Sequence, residues 1–386
     1  MGRYRTGDRR EPVSAIDAAM SHRSFGVVGA AAVPHAPQML SLPQSEDAEQ
    51  VARVRASMLA IGEKLRALEP DLVIVIGNDH GEDFILRSVP AFMVHCGAFA
   101  EGRDGHVGRW TVDGEAGYQL LEGLQQESFD PAFTLDAPLG TFFTIPIAFM
   151  GWAMHTPILP LFVNSYVPPQ PSGLRCHSFG QALQRALERT RRRAVLIASG
   201  GLSHYPGTSV YRDPGPDIET DRRIFEVCSK GNLLALLAHA DPTLDHSGNI
   251  ELRSWQILAG AIGEAVPDVA LLEPNWHHTY AVFGWTKLDQ APAAAKLHYE
   301  RIPPAGVPLA QALHLLRTSS EACARYLQDP QAFAQRLPLG DEERALLVAM
   351  DEAAMRDRCG IHALLTSGAV RRLESVRRSI SGGLQS

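Results

Sequence analysis

Asp71-Leu-Val-Ile-Val-Ile-Gly-Asn-Asp-His80 decides the fold class. Leu72 to Ile76 are five consecutive aliphatic residues, four of them β-branched, which leaves no polar position for a helix or strand face turned to water. Such a run reads as a strand buried on both sides, as in a parallel sheet with helices above and below. It stops at Gly77-Asn78-Asp79-His80, three turn formers and a histidine. Ligands of open α/β sheets bind at the carboxyl ends of strands, so this polar cluster is a candidate site.

Working outward, the same pattern recurs twice. Phe25-Gly-Val-Val-Gly-Ala-Ala-Ala-Val33 runs into Pro34-His35-Ala36-Pro37, where the prolines bar a helix and hold His35 on a rigid loop. Arg193-Ala-Val-Leu-Ile-Ala-Ser199 runs into Gly200-Gly201-Leu202-Ser203-His204-Tyr205-Pro206-Gly207. A single loop histidine usually caps a carbonyl. Three of them at the ends of buried strands predict imidazoles that meet at one sheet edge. His95 also ends an apolar run, Ala91-Phe-Met-Val-His95, but Cys96-Gly97 gives it no rigid loop, and it reads as core.

The segments between these strands are helical or apolar. Glu49 to Leu68 has helical spacing (Val51, Val54, Met58, Ile61, Leu65) and is closed by Pro70. Asp113 to Leu124 and Gly173 to Arg192 read as helices, and Phe143 to Met150 and Ile158 to Val163 as further apolar runs. The expected fold is α/β: a doubly wound, mostly parallel sheet flanked by helices, with a small all-helical C-terminal domain. The boundaries expected are an extension over 1–23, a catalytic domain over 24–290, an Ala/Pro-rich linker over 291–308 and a helical lid over 309–386. In that last part Ala322 to Leu327, Asp341 to Arg356 and a final stretch through Leu365 read as helices.

Composition narrows the function. With 386 residues, 45% hydrophobic and 20% charged, the chain is able to bury a full core. A net charge of −7 gives no basic footprint for nucleic acid. No apolar run approaches the ~20 residues of a membrane helix. The basic opening Met1 to Arg10 lacks a hydrophobic signal core, so a cytoplasmic protein is expected. Five cysteines, odd in number and without CxxC spacing, read as reduced thiols.

Neutral imidazole is a common metal ligand, and two of them on a divalent ion call for a carboxylate. Glu251 in Ser247-Gly-Asn-Ile-Glu-Leu-Arg-Ser-Trp255, Glu273 in Leu271-Leu-Glu-Pro-Asn275, and Asp79 all qualify by spacing. Asp79 also suits a supporting role beside His80.

Taken together, Pro34-His35, Gly77-Asn78-Asp79-His80, Ser203-His204-Tyr205-Pro206-Gly207 and Gly248-Asn-Ile-Glu251-x-x-x-Trp255 resemble the class III extradiol ring-cleavage dioxygenases of the protocatechuate 4,5-dioxygenase type. The resemblance covers roughly residues 24–288. It implies Fe(II) held by His35, His80 and Glu251, with His204 as acid/base. Two histidines and one carboxylate also make the facial triad of Fe(II) oxygenases. The reaction implied is extradiol (meta) cleavage of a catecholic acid with O2 to a ring-opened semialdehyde. The partners are a small aromatic substrate and O2, and the assembly expected is a homo-oligomer, a dimer. The tail, through Asp329-Pro-Gln-Ala-Phe333 and Pro338-Leu339, resembles the small subunit of that enzyme. Its fusion to the large domain matches the arrangement of gallate dioxygenase.

One departure bears on substrate. The family carries an Asp-His-Gly before the segment matching Pro146, and its histidine contacts substrate. Here Leu135 to Pro146 has no histidine, and Thr141 or Phe142 stands in its place. Thr141, Phe142 and Tyr205 are the substrate-contacting candidates, and aminophenols, dihydroxypyridines or substituted catechols enter the expected range. Two readings from other classes use the same residues. A zinc hydrolase would employ a His-His-Glu site with a bound water, and a Memo-like relative would keep the fold without catalysis.

Overall fold

The computed structural model describes residues 24–80, 88–103, 106–288 and 302–382. The expected 1–23 extension and most of the expected linker fall outside these. The chain divides into two compact units, Met1–Gln290 and Ala291–Ser386.

The first unit is built on an eight-stranded sheet. Its strands are β1 (Gly26–Val33), β2 (Leu72–Gly77), β3 (Phe92–His95), β6 (Ala132–Thr134), β7 (Ile158–Val163), β8 (Arg193–Ser199), β9 (Val269–Pro274) and β10 (Thr279–Trp285). A separate two-stranded sheet is made by β4 (Phe99–Gly102) and β5 (Gly108–Thr111). The large sheet has the order β6-β3-β7-β2-β8-β1-β10-β9. Its middle four strands, β7, β2, β8 and β1, pair in parallel throughout. Antiparallel pairs join β3 to β7, β1 to β10 and β10 to β9. The result is a large, mostly parallel sheet flanked by helices.

Every residue of β2 is buried, as are those of β1 and β8. Alternate residues serve different cores, because successive side chains of a strand point to opposite faces. Leu72, Ile74 and Ile76 join Phe179, Leu183, Trp255 and Ile257. Val73 and Val75 join Met58, Ile61, Phe142 and Ile145. The first set comes from helices α4 (Gly173–Arg189) and α6 (Leu252–Ile262); the second comes from α1 (Ala48–Arg66) and α3 (Thr141–Phe149). The other principal helices of this unit are α2 (Gly114–Gln126) and α5 (Ile218–Ser229). Starts are set by side-chain caps: Asp47 accepts from Glu49 and Gln50 N–H, and Asp113 from Ala116 N–H. The apolar run from Phe143 is thus helical rather than a strand, with Pro146 inside it.

The second unit is helical, comprising α7 (Val307–Thr318), α8 (Ser320–Gln328), α9 (Pro330–Gln335), α10 (Asp341–Ala349), α11 (Glu352–Cys359) and α12 (Ala363–Gly382). Its core gathers Leu309, Leu313, Tyr326, Phe333, Leu347 and Met355. Three details depart from the sequence expectation. Helix α7 begins inside the stretch expected to be linker. Asp341 to Arg356 is two helices, because Met350 turns left-handed at φ 51° and Asp351 caps the next one through Ala354 N–H. The last helix runs far past Leu365, to Gly382. No described helix is long and apolar enough to cross a membrane.

Candidate metal centre

The parallel block explains why distant residues meet. Strands β7, β2, β8 and β1 are adjacent and point the same way, so their carboxyl ends share one edge. His80, His204 and His35 follow β2, β8 and β1 within a few residues. Glu251 is brought to this edge as the N-cap residue of α6, the helix packed under β1 and β8.

The ligating atoms of His35, His80 and Glu251 lie within 4.8 Å of one another. Glu251 Oε1 is 3.0 Å from His80 Nε2, 3.3 Å from His35 Nε2 and 3.5 Å from His204 Nε2. Asn78 Nδ2 donates to the same oxygen at 3.0 Å, and the Tyr166 hydroxyl at 2.8 Å. Five groups therefore converge on one carboxylate oxygen, more than its lone pairs accommodate. The second oxygen, Oε2, accepts the Gly201 N–H at 2.8 Å, which fixes the carboxylate plane. The His35 and His80 Nε2 atoms stand only 3.4 Å apart. Two ring nitrogens facing each other beside a carboxylate match a site for a cation, and two imidazoles with one carboxylate suit a divalent transition metal.

Burial and charge agree with this. Glu251 is fully buried, and His35 is 2% exposed. Burial alone would raise the Glu251 carboxyl, but its His35 and His204 partners outweigh it and hold the group well below the usual range. Burial holds the His35 imidazole below its ordinary value, which keeps it neutral and able to ligate. For His204 burial also acts downward, yet the Glu251 charge and hydrogen bonds prevail and raise it.

The tautomer of His204 follows from its neighbours. Nδ1 is 2.9 Å from the Leu202 carbonyl, which only accepts, so Nδ1 carries a proton and Nε2 faces the cluster. The loop bearing it is pinned from below. Asp221, fully buried on α5, accepts from Ser203 N–H at 3.1 Å, from Ser203 Oγ at 2.6 Å and from Asn249 Nδ2 at 3.2 Å. One carboxylate thus braces residues beside both His204 and Glu251. Gly200 and Gly201 are there for room, not for a left-handed turn, since neither has positive φ. A Cβ on Gly201 would stand 1.8 Å from His278 Nε2, and one on Gly200 would stand 3.0 Å from Glu251 Cβ.

A cleft of about 350 Å³ opens on the cluster, within the ~300–1,000 Å³ typical of small-molecule sites. His35, His80 and His204 line it with Pro206, Tyr211, His277 and His278. Among the described residues no Arg or Lys belongs to its lining. The His278 ring stacks on His204 with centroids 4.3 Å apart, and burial holds its pKa well below the ordinary value. His277 pairs with the buried Glu46 at 2.6 Å.

The structure brings His35, His80, His204 and Glu251 together. Phe142 is adjacent, its ring 5.7 Å from that of His80 and 6.4 Å from that of His35, but it does not line the cleft. Thr141 is buried and also stands outside the lining. Tyr205 donates its hydroxyl to the His246 carbonyl and is likewise not in the lining. Glu273 is taken up by Arg53 at 2.6 Å, on β9 at the sheet's far edge, and Asp79 is buried outside the ligand cluster. His95 is a core residue bonded to the Ala137 carbonyl. Residues absent from the sequence expectation are Tyr166, Tyr211, His277 and His278. Tyr166 had a readable signal: like the histidines, it follows a buried strand, β7, and precedes Pro168-Pro169.

A family model described as the catalytic LigB subunit of aromatic ring-opening dioxygenase matches residues 29–286. A 2,3-dihydroxyphenylpropionate/2,3-dihydroxicinnamic acid 1,2-dioxygenase of Cupriavidus necator is 25% identical over 296 residues, 64% of this chain and 93% of that one. The protein of the same name from Burkholderia vietnamiensis is 32% identical over 278 residues, 58% of this chain and 87% of its own. Among solved structures, an uncharacterized protein of Escherichia coli K12 matches 66% of this chain and 99% of its own at 16% identity, with a TM-score of 0.45. The His-His-Glu cluster, the cleft and the matched span agree: this chain belongs to the LigB family and is a ring-cleaving dioxygenase.

Proposed function

We propose that the chain is a non-haem Fe(II) enzyme that cleaves a catecholic acid, or a related dihydroxylated aromatic acid, in extradiol (meta) fashion with O2, giving a ring-opened semialdehyde. The observation that carries this reading is the convergence of His35 Nε2, His80 Nε2 and Glu251 Oε1 beside a cleft of about 350 Å³ that His35 and His80 line. We assign these three residues as the ligands and His204 as the acid/base. The bound Fe(II) would supply the site at which diol and dioxygen exchange charge.

The protein's own contributions follow from its geometry. His204 Nε2 faces the cluster, and Nδ1–H on the Leu202 carbonyl holds the ring so that Nε2 takes a proton from the substrate hydroxyl and later returns it. Its raised pKa favours holding that proton between the two events. Stacked His278, kept neutral by burial, limits rotation of the His204 ring without adding a charge. The apolar Phe142 ring backs His35 and His80, where the family pattern places a polar histidine. Substrate polar groups then meet Tyr211, His277 and His278 instead. The named relatives act on dihydroxyphenylpropionate, and a catechol with a short side chain is our first choice of substrate, ahead of aminophenols and dihydroxypyridines. We further assign the helical unit over 309–386 as a fused small subunit that acts as a lid.

An oxygen electrode tests the proposal. Fe(II)-loaded protein is expected to consume O2 with a panel of substituted catechols, while Zn(II)-loaded protein and Fe(II)-treated Glu251→Ala do not. Full activity with Zn(II) and no O2 uptake would make the site a hydrolase.

A further inference from the structure

We infer that Tyr166 is a positioning residue, whose hydroxyl holds the His204 imidazole in register with the Glu251 carboxylate; the inference rests on the acid/base role given to His204 above. Tyr166 leaves β7 on a loop that is set before any ligand arrives. Asn164 closes it twice, donating Nδ2 to the Val167 carbonyl at 2.6 Å and accepting the Val167 N–H at 3.0 Å. From this loop the Tyr166 hydroxyl reaches Glu251 Oε1 at 2.8 Å and His204 Nε2 at 3.1 Å. Its ring meets that of His80 edge-on, centroids 5.0 Å apart at 75°. One side chain therefore touches three of the four residues assigned to the centre.

The geometry separates positioning from substrate contact. Tyr166 is not part of the cleft lining to which His35, His80 and His204 belong, and both polar contacts of its hydroxyl are to the cluster. His204 has two other restraints. Leu202 holds Nδ1, and His278 covers a ring face. Neither of them bonds Nε2, the atom that moves the proton. The Tyr166 oxygen does: its own proton goes to Glu251 Oε1, and it accepts from Nε2–H once that nitrogen is protonated. A proton-transfer group needs hydrogen-bond reach of its target, and misplacement by about an ångström costs up to ~10²-fold in rate. Metal retention depends less on this hydroxyl, because Oε2 keeps Gly201 N–H and Oε1 keeps Asn78 when it is removed.

Tyr166→Phe deletes the hydroxyl and keeps the ring against His80. The test compares Fe(II)-loaded wild type, Tyr166→Phe, His204→Phe and the double variant on a catechol that the wild type turns over. Zn(II) affinity of each metal-free protein is measured by calorimetry. For Tyr166→Phe we expect kcat to fall about 10- to 100-fold, with KM and the Zn(II) dissociation constant within about threefold of wild type. In the His204→Phe background the same change is expected to alter kcat by less than about twofold, since the two residues act as one unit. A Tyr166→Phe protein within about threefold of wild-type kcat overturns the inference, as does an equal further loss in the His204→Phe background. Zn(II) binding weakened more than about tenfold overturns it too, by making Tyr166 a support of the metal ligands. If His204→Phe by itself turns over like wild type, the acid/base assignment falls, and the inference with it; that outcome is read from the single His204 variant alone.

Discussion

Asp221→Ala isolates the brace beneath the centre. The wild-type carboxylate is fully buried and accepts three hydrogen bonds, from Ser203 N–H, Ser203 Oγ and Asn249 Nδ2. Removing it strands the Ser203 N–H and hydroxyl, while Asn249 Nδ2 keeps the Ser247 carbonyl and hydroxyl, and a buried donor left unpaired costs about 1–3 kcal/mol. The Ser203 hydroxyl is free to rotate and a water is able to enter the vacated space, so the low end applies, about 2 kcal/mol in all. At roughly 2–4 °C per kcal/mol for a unit of this size, the first melting transition is expected to drop by about 4–8 °C in calorimetry. Ser203 precedes His204 and Asn249 lies two residues before Glu251, so turnover is expected to fall at least about tenfold by the same loosening. Asp221→Asn keeps one acceptor oxygen and is expected to cost about half as much. A pH series adds a second reading. Burial raises the Asp221 carboxyl above its ordinary 3.8 against the opposing pull of its hydrogen bonds. Between 3.8 and the folded value the folded state binds more protons than the unfolded one. This group therefore favours folding at low pH, and its contribution fades as pH rises through the folded pKa. Asp221→Asn should lack that slope. A melting point within about 2 °C of wild type for Asp221→Ala, with turnover unchanged, would refute the reasoning.

Other outcomes are expected elsewhere. Gly201→Ala places a methyl 1.8 Å from His278 Nε2, and the ring it displaces is the one stacked on His204. Overpacking of this kind costs about 1–3 kcal/mol, and kcat is expected to fall while bound iron, measured by emission spectroscopy, stays at one per chain. Burial pushes the thiol of Cys96 up to about 11 and that of Cys228 up to about 12, and Cys359 alone of the five is part-exposed. Titration with a disulfide reagent near pH 8 should therefore show one fast thiol and four slow ones. A chain ending at Asp289 is expected to fold and bind iron but to show a raised KM; unchanged steady-state kinetics would remove the lid role from the helical unit.

The sequence was most legible where burial is most complete. Leu72–Ile76, Ala30–Val33 and Ala194–Ala198 lie in strands covered on both faces, so every position is apolar and the pattern needs no partner to be read. His35, His80 and His204 were legible for the same reason, each being the polar residue that ends such a run. Glu251 was not separable from Glu273 by spacing. What separates them is a helix N-terminus returning to the sheet edge in one case, and Arg53, 220 positions away, in the other. The run from Phe143 was ambiguous because a helix buried all round and a buried strand share the same composition. His277 and His278 sit at the turn of the antiparallel β9–β10 pair, whose alternation is weak, and so went unread. Tyr166 follows a buried strand as the histidines do, but a strand-end tyrosine carries no metal-ligand signal of its own. The room that Gly200 and Gly201 leave for Glu251 and His278 is a contact between distant segments that chain order does not display.

The central claim, that His35, His80 and Glu251 hold an iron at which an aromatic ring is opened by dioxygen, is tested most directly by isotope. Fe(II)-loaded protein is incubated with the best substrate of the catechol panel under 18O2, and the product mass is read before its aldehyde exchanges with water. The account predicts a ring-opened product carrying two 18O atoms, formed one-for-one with the O2 consumed. A product whose new oxygen comes only from water would contradict it.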